Sequence, residues 1–183
     1  MKELLTKRTK LRFININDLE SIHLLHSLEA TDQYNALGIP KNVEETKSII
    51  EPWIVQMDKE TIQVFTFAIE ETSNGEFIGL FGLTIGSPKY RMAEVWYKIL
   101  PKFWGKGIAT EVLSRVIQFG FDELKLHRIE AGVAVENIGS IRVLEKVGMT
   151  KEGRGRKIIP LKTGWSDNFK FSILDTDTQP SFH

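Results

Sequence analysis

The sequence PKFWGKGIAT at residues 101–110 decides the fold, because it places two glycines between a predicted strand and a predicted helix. Residues 93–100 (AEVWYKIL) are rich in β-branched and aromatic side chains and stop at a proline, which is typical of a strand. Residues 107–124 carry apolar side chains at every third or fourth position, which predicts an amphipathic helix. The two glycines therefore lie where a strand turns sharply into a helix.

This turn predicts a binding site for an anion. The first amides of the helix have no intrahelical acceptor, and the helix dipole adds about half a positive charge there. Lys106 adds a further charge. A P-loop is excluded because GxxxxGK[ST] is absent, and a dinucleotide fingerprint is excluded because Thr110 stands where its third glycine would be. A glycine turn that only joins two packed elements explains the same residues, so both interpretations remain open here.

The flanking sequence predicts helices packed on a mixed sheet, an α/β (α+β) arrangement. Further strands are expected near residues 11–16, 63–70, 76–85, 128–135 and 168–174, and helices near residues 17–28, 43–59 and 138–147. Asn17 or Asp18 is expected to cap the first of these helices, and Gly148 to end the last. Gly153 and Gly155 interrupt a basic, strand-like stretch. No linker divides the chain, so we expect one domain over residues 1–183, with a folded core at about 9–174 and a polar tail at 175–183.

Composition narrows the class of protein. The 183 residues include 24 basic and 24 acidic side chains, so net charge predicts neither a nucleic-acid partner nor a membrane anchor. The absence of cysteine excludes disulfides, thiolate nucleophiles and cysteine-bound metal sites. Four scattered histidines supply little material for a metal cage, and no apolar run reaches the ~20 residues of a membrane span. We expect a cytoplasmic, metal-free enzyme or binding module.

Two segments carry a family resemblance. KILPKFWGKGIATEVL (residues 98–113) and VENIGSIRVLEKVGM (residues 135–149) resemble motifs A and B of the GNAT superfamily of N-acetyltransferases, and within it the Rim-type enzymes that acetylate ribosomal-protein N-termini. The superfamily pattern [QR]xxGx[GA] falls on Trp104, Gly107 and Ala109, where Trp104 departs from the usual Gln or Arg. The resemblance extends from about Thr9 to Leu174. It implies the GNAT acyl-CoA N-acyltransferase fold, with a mixed, mostly antiparallel, splayed sheet flanked by helices.

The resemblance also implies acetyl-CoA as co-substrate. Its pyrophosphate is expected on the backbone of the turn, at Trp104, Gly105, Lys106, Gly107, Ile108, Ala109 and Thr110. Its pantetheine arm is expected on the backbone near Ile99 and Leu100, where that strand splays from residues 128–135.

Motif B offers the catalytic side chains that the resemblance implies. Many family members place a tyrosine, which protonates the leaving thiolate, at the position that is Leu144 here. The acid role therefore passes to Ser140, with Asn137 and Ser140 also expected to contact the cofactor. Two structural alternatives remain, because Asn137 can instead cap the short helix and a helix serine can bond its own backbone.

A general base is harder to identify. We expect Glu94, with Glu130 as second choice, although either can be a solvated or paired strand carboxylate. His127 is expected at a strand edge rather than as a base. The basic run contains Lys151, Arg154, Arg156 and Lys157, which can meet an acidic substrate or coenzyme phosphates or simply form a solvated face.

The predicted reaction is direct attack by a primary amine on acetyl-CoA in a ternary complex, since no cysteine can carry an acyl intermediate. The expected acceptor is the N-terminal α-amine of a protein such as a ribosomal protein. Such an amine, with pKa ~8 against ~10.4 for lysine, is neutral more often at pH 7, a difference of ~3.3 kcal/mol. One alternative is a small amine such as a polyamine, aminoglycoside or dipeptide. Another is a non-catalytic acyl-CoA-binding sensor, and the sequence leaves monomer or homodimer open.

Overall fold

An eight-stranded mixed sheet forms the centre of the protein. The computed structural model describes residues 3–57 and 62–178. The strands are β1 (Leu4–Leu5), β2 (Thr9–Phe13), β3 (Val64–Glu71), β4 (Phe77–Ile85), β5 (Met92–Ile99), β6 (Arg128–Ala134), β7 (Thr150–Leu161) and β8 (Gly164–Leu174). Their spatial order is β1-β2-β3-β4-β5-β6-β8-β7, in which β5 and β6 pair parallel and the other neighbours pair antiparallel.

Helices cover both faces of the sheet. They are α1 (Leu19–Ser27), α2 (Glu29–Asp32), α3 (Val43–Met57), α4 (Ile108–Asp122) and α5 (Ile138–Lys146). Trp53 of α3 packs on Trp96 of β5, with ring centroids 5.6 Å apart. Phe119 of α4 packs on Phe65 of β3, which aligns through β4 with Val95 of β5. Because successive strand residues point to opposite faces, α1 and α3 lie on one face and α4 on the other.

The local predictions are largely confirmed. The hairpin at residues 63–85 is β3 and β4, and the amphipathic helix after the glycine turn is α4. The expected strand at 128–135 is β6, and the short helix after it is α5. The predicted helix at 43–59 is described as far as Met57, and its last two residues lie outside the described part. Pro52 lies inside this helix, while β1 and α2 were not predicted.

The predicted helix cap at Asn17 or Asp18 is wrong. A 3-10 turn at Ile16–Asp18 precedes α1, and its cap is Asn15, whose side chain accepts from the Asn17 amide at 2.9 Å. Asp18 stands before α1 without capping it, because its carboxylate accepts from the Asn15 amide at 2.8 Å and from the Arg12 guanidinium at 2.6 Å. The Asp18 carboxylate therefore does not cap α1, because it is engaged in the ion pair with Arg12 of β2.

The glycines of the basic stretch do not interrupt a strand. β7 runs through both of them and forms a long hairpin with β8, which begins four residues earlier than expected. Irregular register between residues 151 and 153, and between 155 and 159, accommodates them. A Cβ on Gly155 would lie 2.2 Å from Cδ1 of Ile158 and 2.4 Å from Oδ1 of Asn168. Any larger residue at position 155 would displace the side chains of Ile158 and Asn168, which pack against this glycine.

The sheet opens between β5 and β6. These strands pair from Met92 with Arg128 to Glu94 with Glu130, and along their described length they pair no further. β5 nevertheless stays paired with β4 as far as Ile99, and β6 with β8 as far as Ala134. The two strands therefore diverge into a V-shaped gap, which we call the splay. This confirms the splayed sheet that the family resemblance implies.

Candidate functional site

The glycine turn forms a cradle of free backbone amides at the end of β5. Helix α4 begins at Ile108, and its first backbone bond runs from the Glu111 amide to the Gly107 carbonyl at 3.1 Å. The amides of Ile108, Ala109 and Thr110 therefore have no acceptor within the helix. Together with the positive end of the helix dipole, they present donors suited to an anion such as a pyrophosphate.

Both glycines of the cradle have left-handed backbones. Gly105 has φ +72° and Gly107 has φ +77°. A Cβ on Gly105 would meet nothing within 4 Å, and one on Gly107 would meet only Nη2 of Arg8 at 3.6 Å. Space is therefore not what selects glycine. The left-handed conformation selects it, since it costs an L-residue roughly 1–2 kcal/mol.

Trp104 holds the cradle against the end of β5. Its indole Nε1 donates to the carbonyl of Ile99 at 2.7 Å, while half of the side chain remains exposed. The indole has a single donor, so this bond occupies it. The departure from Gln or Arg in the motif therefore has a structural role in this chain.

Arg8, near the start of the chain, stabilises the cradle through three hydrogen bonds. The sequence did not reveal this role. Its Nη1 donates to the Lys106 carbonyl at 2.9 Å, and its Nε donates to Oε2 of Glu111 at 2.7 Å. Its own amide also donates to Oε1 of Glu111 at 2.8 Å. The three bonds fix the loop and the first turn of α4 to the segment between β1 and β2. No local motif marks Arg8, because its partners are about one hundred residues away.

The backbone of β5 turns alternate amides toward the splay. The Leu100 amide donates to the Ile78 carbonyl at 2.9 Å, on the β4 side. By antiparallel alternation, the amides and carbonyls of Tyr97 and Ile99 point to the opposite edge, toward the splay. Leu100, expected with Ile99 to contact the pantetheine arm through its backbone, therefore turns its amide away from the splay. Ile99 offers its amide, while its carbonyl already accepts the Trp104 indole.

Helix α5 places Ser140 beside the splay. Asn137 caps this helix, because its Oδ1 accepts from the Ser140 amide at 3.1 Å. Leu144, one turn later, is buried in the core with 1% exposure. Ser140 Oγ lies 2.7 Å from the hydroxyl of Tyr97 on β5. Ser140 thus bonds a side chain across the site rather than only its own helix.

Tyr97 is a second functional candidate that the sequence analysis did not identify. The tyrosine of the family motif would stand at position 144 on the helix, whereas this phenol comes from the strand. Its ring stacks on Phe81 with centroids 6.0 Å apart. Burial raises the pKa of Tyr97 to about 12, against a smaller lowering by the bond with Ser140. The phenol is therefore neutral at physiological pH. The available signal was its position, two residues before Ile99 on the predicted splayed strand.

The two carboxylates considered as a base differ in their surroundings. Glu94 is exposed at the last β5–β6 pair, where the splay begins. Its Oε1 is 3.8 Å from where a Cβ on Gly132 would stand. Glu130 instead accepts from Nε of Arg128 at 2.6 Å. His127 lies just before β6 with Nδ1 2.9 Å from Oδ1 of Asp175. The geometry leaves Glu94 the more accessible carboxylate.

The face of β5 that carries Glu94 also carries an aromatic and ionisable cluster. Trp96 lies over Gly82, where a Cβ would come within 2.0 Å of the indole. Nζ of Lys98 is 3.0 Å from Nδ1 of His26, and both side chains are buried. Burial lowers the pKa of Lys98 to about 8 and that of His26 to about 3.

A cavity of about 500 Å³ opens between the loop after α2 and the tip of the β7–β8 hairpin. Asp32 lines this cavity and is 5% exposed. Its Oδ1 is buried without a hydrogen-bond partner. Leu161 and Ile39 supply apolar wall and Lys162 a basic group, so the cavity combines apolar surface with charged groups of both signs.

The basic run is largely engaged within its own hairpin. Arg154 donates to Asp167 at 2.8 Å, and the Lys157 amide donates to the other oxygen of the same carboxylate at 2.9 Å. Nζ of Lys151 lies 4.5 Å from the centroid of Phe169. Arg156 lines a cavity of about 420 Å³ on this hairpin. These contacts favour a structural face over a phosphate site.

The described residues, 3–57 and 62–178, carry neither a metal-binding cluster nor a helix that could span a membrane. Within these residues, no group of three or more His, Asp or Glu side chains could hold a metal ion. Of the helices described, none has both the length and the apolar character needed to cross a bilayer.

Comparison with known proteins identifies the family. The family model for the acetyltransferase (GNAT) domain matches residues 8–150. The uncharacterized N-acetyltransferase YoaA of Bacillus subtilis (strain 168) is 36% identical over 149 residues, which cover 81% of this chain and 82% of that protein. The putative ribosomal N-acetyltransferase YdaF of the same organism is 36% identical over 101 residues, 55% of each chain.

A solved structure adds support from the fold. The spermidine N-acetyltransferase of Vibrio cholerae, crystallised with CoA and spermine, superposes with a TM-score of 0.81 at 25% identity. The alignment covers 92% of this chain and 96% of that one. The amide cradle, the splayed sheet and the match to the family model all indicate the same family. The chain therefore belongs to the GNAT family of acetyl-CoA-dependent N-acetyltransferases.

Proposed function

We propose that this acetyltransferase acetylates the N-terminal α-amine of a protein, such as a ribosomal protein, by direct attack in a ternary complex. One observation carries the proposal: the splay has the amide cradle at its end, the Ser140 hydroxyl on one face and the Glu94 carboxylate on the other. The likeness to YdaF, named a putative ribosomal N-acetyltransferase, supports the acceptor class.

The residues of the cradle fit a coenzyme A pyrophosphate. The backbone from Gly105 to Thr110 would hold it, with the charges of Arg8 and Lys106 nearby. Trp104, also expected to hold it, does not offer its amide, because that amide already donates to the Pro101 carbonyl at 3.0 Å. The Ile99 amide, turned toward the splay, suits an amide carbonyl of the pantetheine arm. When bound, acetyl-CoA supplies the acetyl group as a thioester.

Glu94 and Ser140 divide the proton transfers between the two faces of the sheet. The amine nitrogen forms a bond to the acetyl carbon, and the bond from that carbon to sulfur breaks. Glu94 takes one proton from the amine, directly or through water, and releases it to solvent. Ser140 donates one proton to the sulfur and regains one from solvent. Asn137 holds Ser140 in place by capping α5.

A small cationic amine is the second candidate acceptor. The cavity of about 500 Å³ presents the buried Asp32 carboxylate, with one oxygen unpartnered, beside apolar residues and the side chain of Lys162. Such a lining suits the ammonium groups and methylene chain of a polyamine. The structural likeness to a spermidine N-acetyltransferase points the same way.

A non-catalytic sensor is the weaker interpretation. The argument for it is Leu144, which stands where many family members have a catalytic tyrosine, whereas Ser140 and Tyr97 bring two hydroxyls to the splay. Thiol release with any amine would eliminate it.

The acceptor classes are separated by the pH dependence of thiol release. With a Ser- or Ala-initiated peptide, kcat/KM should rise and level off near pH ~8, the pKa of an α-amine. Spermidine, with amines of higher pKa, should show a rate that still rises toward pH ~10. The matched control is the same peptide with a blocked N-terminus and an internal lysine. Turnover of spermidine but not of the free peptide would overturn the proposed acceptor.

Glu94→Gln tests the base in the same assay. The variant should lose rate with the peptide at pH 7 and recover part of it at higher pH, where the amine is neutral without help. Glu130→Gln is the matched control, because Glu130 is bound by Arg128. Full activity of Glu94→Gln at pH 7 would remove Glu94 from the mechanism.

A further inference from the structure

Two hydroxyl groups meet at the edge of the splay and come from different elements. Tyr97 projects from β5 beyond its last pair with β6, and Ser140 lies in the first turn of α5. Their oxygens are 2.7 Å apart, the distance typical of a hydrogen bond between hydroxyls. The sequence separates them by 43 residues.

The surroundings hold both groups in place. The Tyr97 ring stacks on Phe81 with an interplanar angle of 20°. Ser140 is fixed by the cap, since its amide donates to Asn137 at 3.1 Å. The helix position one turn later is Leu144, which is buried and brings no hydroxyl. The strand therefore contributes the phenol that this helix lacks.

The bond between the two groups restricts rotation of the Ser140 hydroxyl. A serine hydroxyl turns freely unless a neighbour fixes it. The pair has two protons, of which one lies between the oxygens and one stays free. Either oxygen can donate in this bond, and donation by the more acidic phenol to Ser140 Oγ leaves the serine proton free. With its oxygen engaged by Tyr97, Ser140 directs this proton away from the phenol.

We infer that Tyr97 is a positioning residue that orients the Ser140 hydroxyl toward the leaving sulfur through their shared hydrogen bond. The inference rests on the role proposed above for Ser140. Tyr97 itself transfers no proton and remains a neutral phenol throughout. The reaction needs no further acid from β5.

Kinetics of four variants test the inference. Tyr97→Phe removes only the hydroxyl and keeps the ring on Phe81. It should lower kcat about tenfold and leave KM for acetyl-CoA unchanged, because the lost bond orients the Ser140 proton toward the leaving thiolate and makes no contact with the bound thioester. Ser140→Ala should lower kcat tenfold to a hundredfold or more, roughly, and the double variant should be no slower than Ser140→Ala. Tyr90→Phe, which changes an exposed phenol, is the matched control and should behave as the wild type.

A binding measurement separates this inference from the proposed reaction. The wild type should bind CoA more tightly than desulfo-CoA, which lacks the sulfur, and Tyr97→Phe should reduce this preference several-fold. Ser140→Ala should reduce it at least as far. This readout needs no acceptor, so it holds even if every amine tested fails. Each of three results would overturn the inference. The first is an unchanged preference with unchanged kcat in Tyr97→Phe, and the second is kcat losses that multiply in the double variant. A rise in KM alone would also overturn it, since Tyr97 would then only form a wall of the binding site.

Discussion

Gly107 offers a direct test of the cradle, because one substitution pair changes a single charge at its centre. Gly107→Asn and Gly107→Asp add side chains of nearly equal size. Asn and Asp both tolerate the left-handed backbone that Gly107 adopts at φ +77° better than most residues do. A Cβ at this position meets only Arg8, at 3.6 Å, so neither variant is excluded by space. The two variants therefore differ mainly in the negative charge.

The expected magnitude follows from the charge of a pyrophosphate. The left-handed backbone costs both variants about 1 kcal/mol. If this whole cost reduces the free energy of CoA binding, the affinity for CoA falls roughly fivefold. Two unit charges about 5 Å apart at an effective dielectric constant of ~20 repel by about 3 kcal/mol. Gly107→Asp should therefore bind CoA more weakly than Gly107→Asn by a further factor of up to about 150, which is an upper bound because Arg8, 3.6 Å from the new Cβ, partly neutralises the carboxylate.

Isothermal titration calorimetry with CoA measures both effects, and circular dichroism confirms that the fold is kept. Raising the salt concentration should narrow the difference between Asp and Asn, since screening weakens the repulsion. Gly38→Asp is the control for a left-handed glycine elsewhere, because Gly38 has φ +79° in the loop between α2 and α3. Equal affinities for the Asn and Asp variants, or wild-type affinity for both, would refute the cradle.

Three further substitutions test the groups around the site. Arg8→Ala should weaken CoA binding about tenfold, because it removes the bonds from Arg8 to the Lys106 carbonyl and to Glu111. The control is Arg115→Ala, which breaks an ion pair elsewhere on α4 and should leave CoA binding unchanged. Equal effects of the two substitutions would exclude a role of Arg8 in holding the cradle. Burial lowers the pKa of Lys98 from 10.5 to about 8, so the folded protein loses this proton first and its unfolding free energy should gain up to about 1.4 kcal/mol per pH unit between those values. Lys98→Met should abolish this rise in the free energy of unfolding, measured by urea titration at pH 8 and at pH 10.5. A variant that keeps the rise would show that Lys98 does not cause it. The pKa of His26 is lowered by burial to about 3, so stability should fall as pH drops below 6.5 because only the unfolded chain takes up the proton. His26→Gln should flatten that fall, and an unchanged slope would count against it.

Local sequence was enough to predict the cradle and its helix. The pattern of apolar residues after Gly107 repeats with the helix period, and two glycines before it permit left-handed turns. Both signals act within about twenty residues, where sequence neighbours are also neighbours in space. The hairpin of β3 and β4 was predictable for the same reason. The cap of the first helix was not, because Arg12 on β2 takes the Asp18 carboxylate.

Only the tertiary structure decided which side chains meet at the site. Tyr97 reaches Ser140 because β5 continues along β4 after leaving β6. Arg8 reaches Glu111 across more than one hundred residues, and His26 reaches Lys98 because α1 packs on the face of β5 opposite α4. Such contacts have no period and no fixed spacing in the chain. The sequence determined which elements form, whereas the packing of those elements on a sheet that opens between β5 and β6 determined which residues can act together.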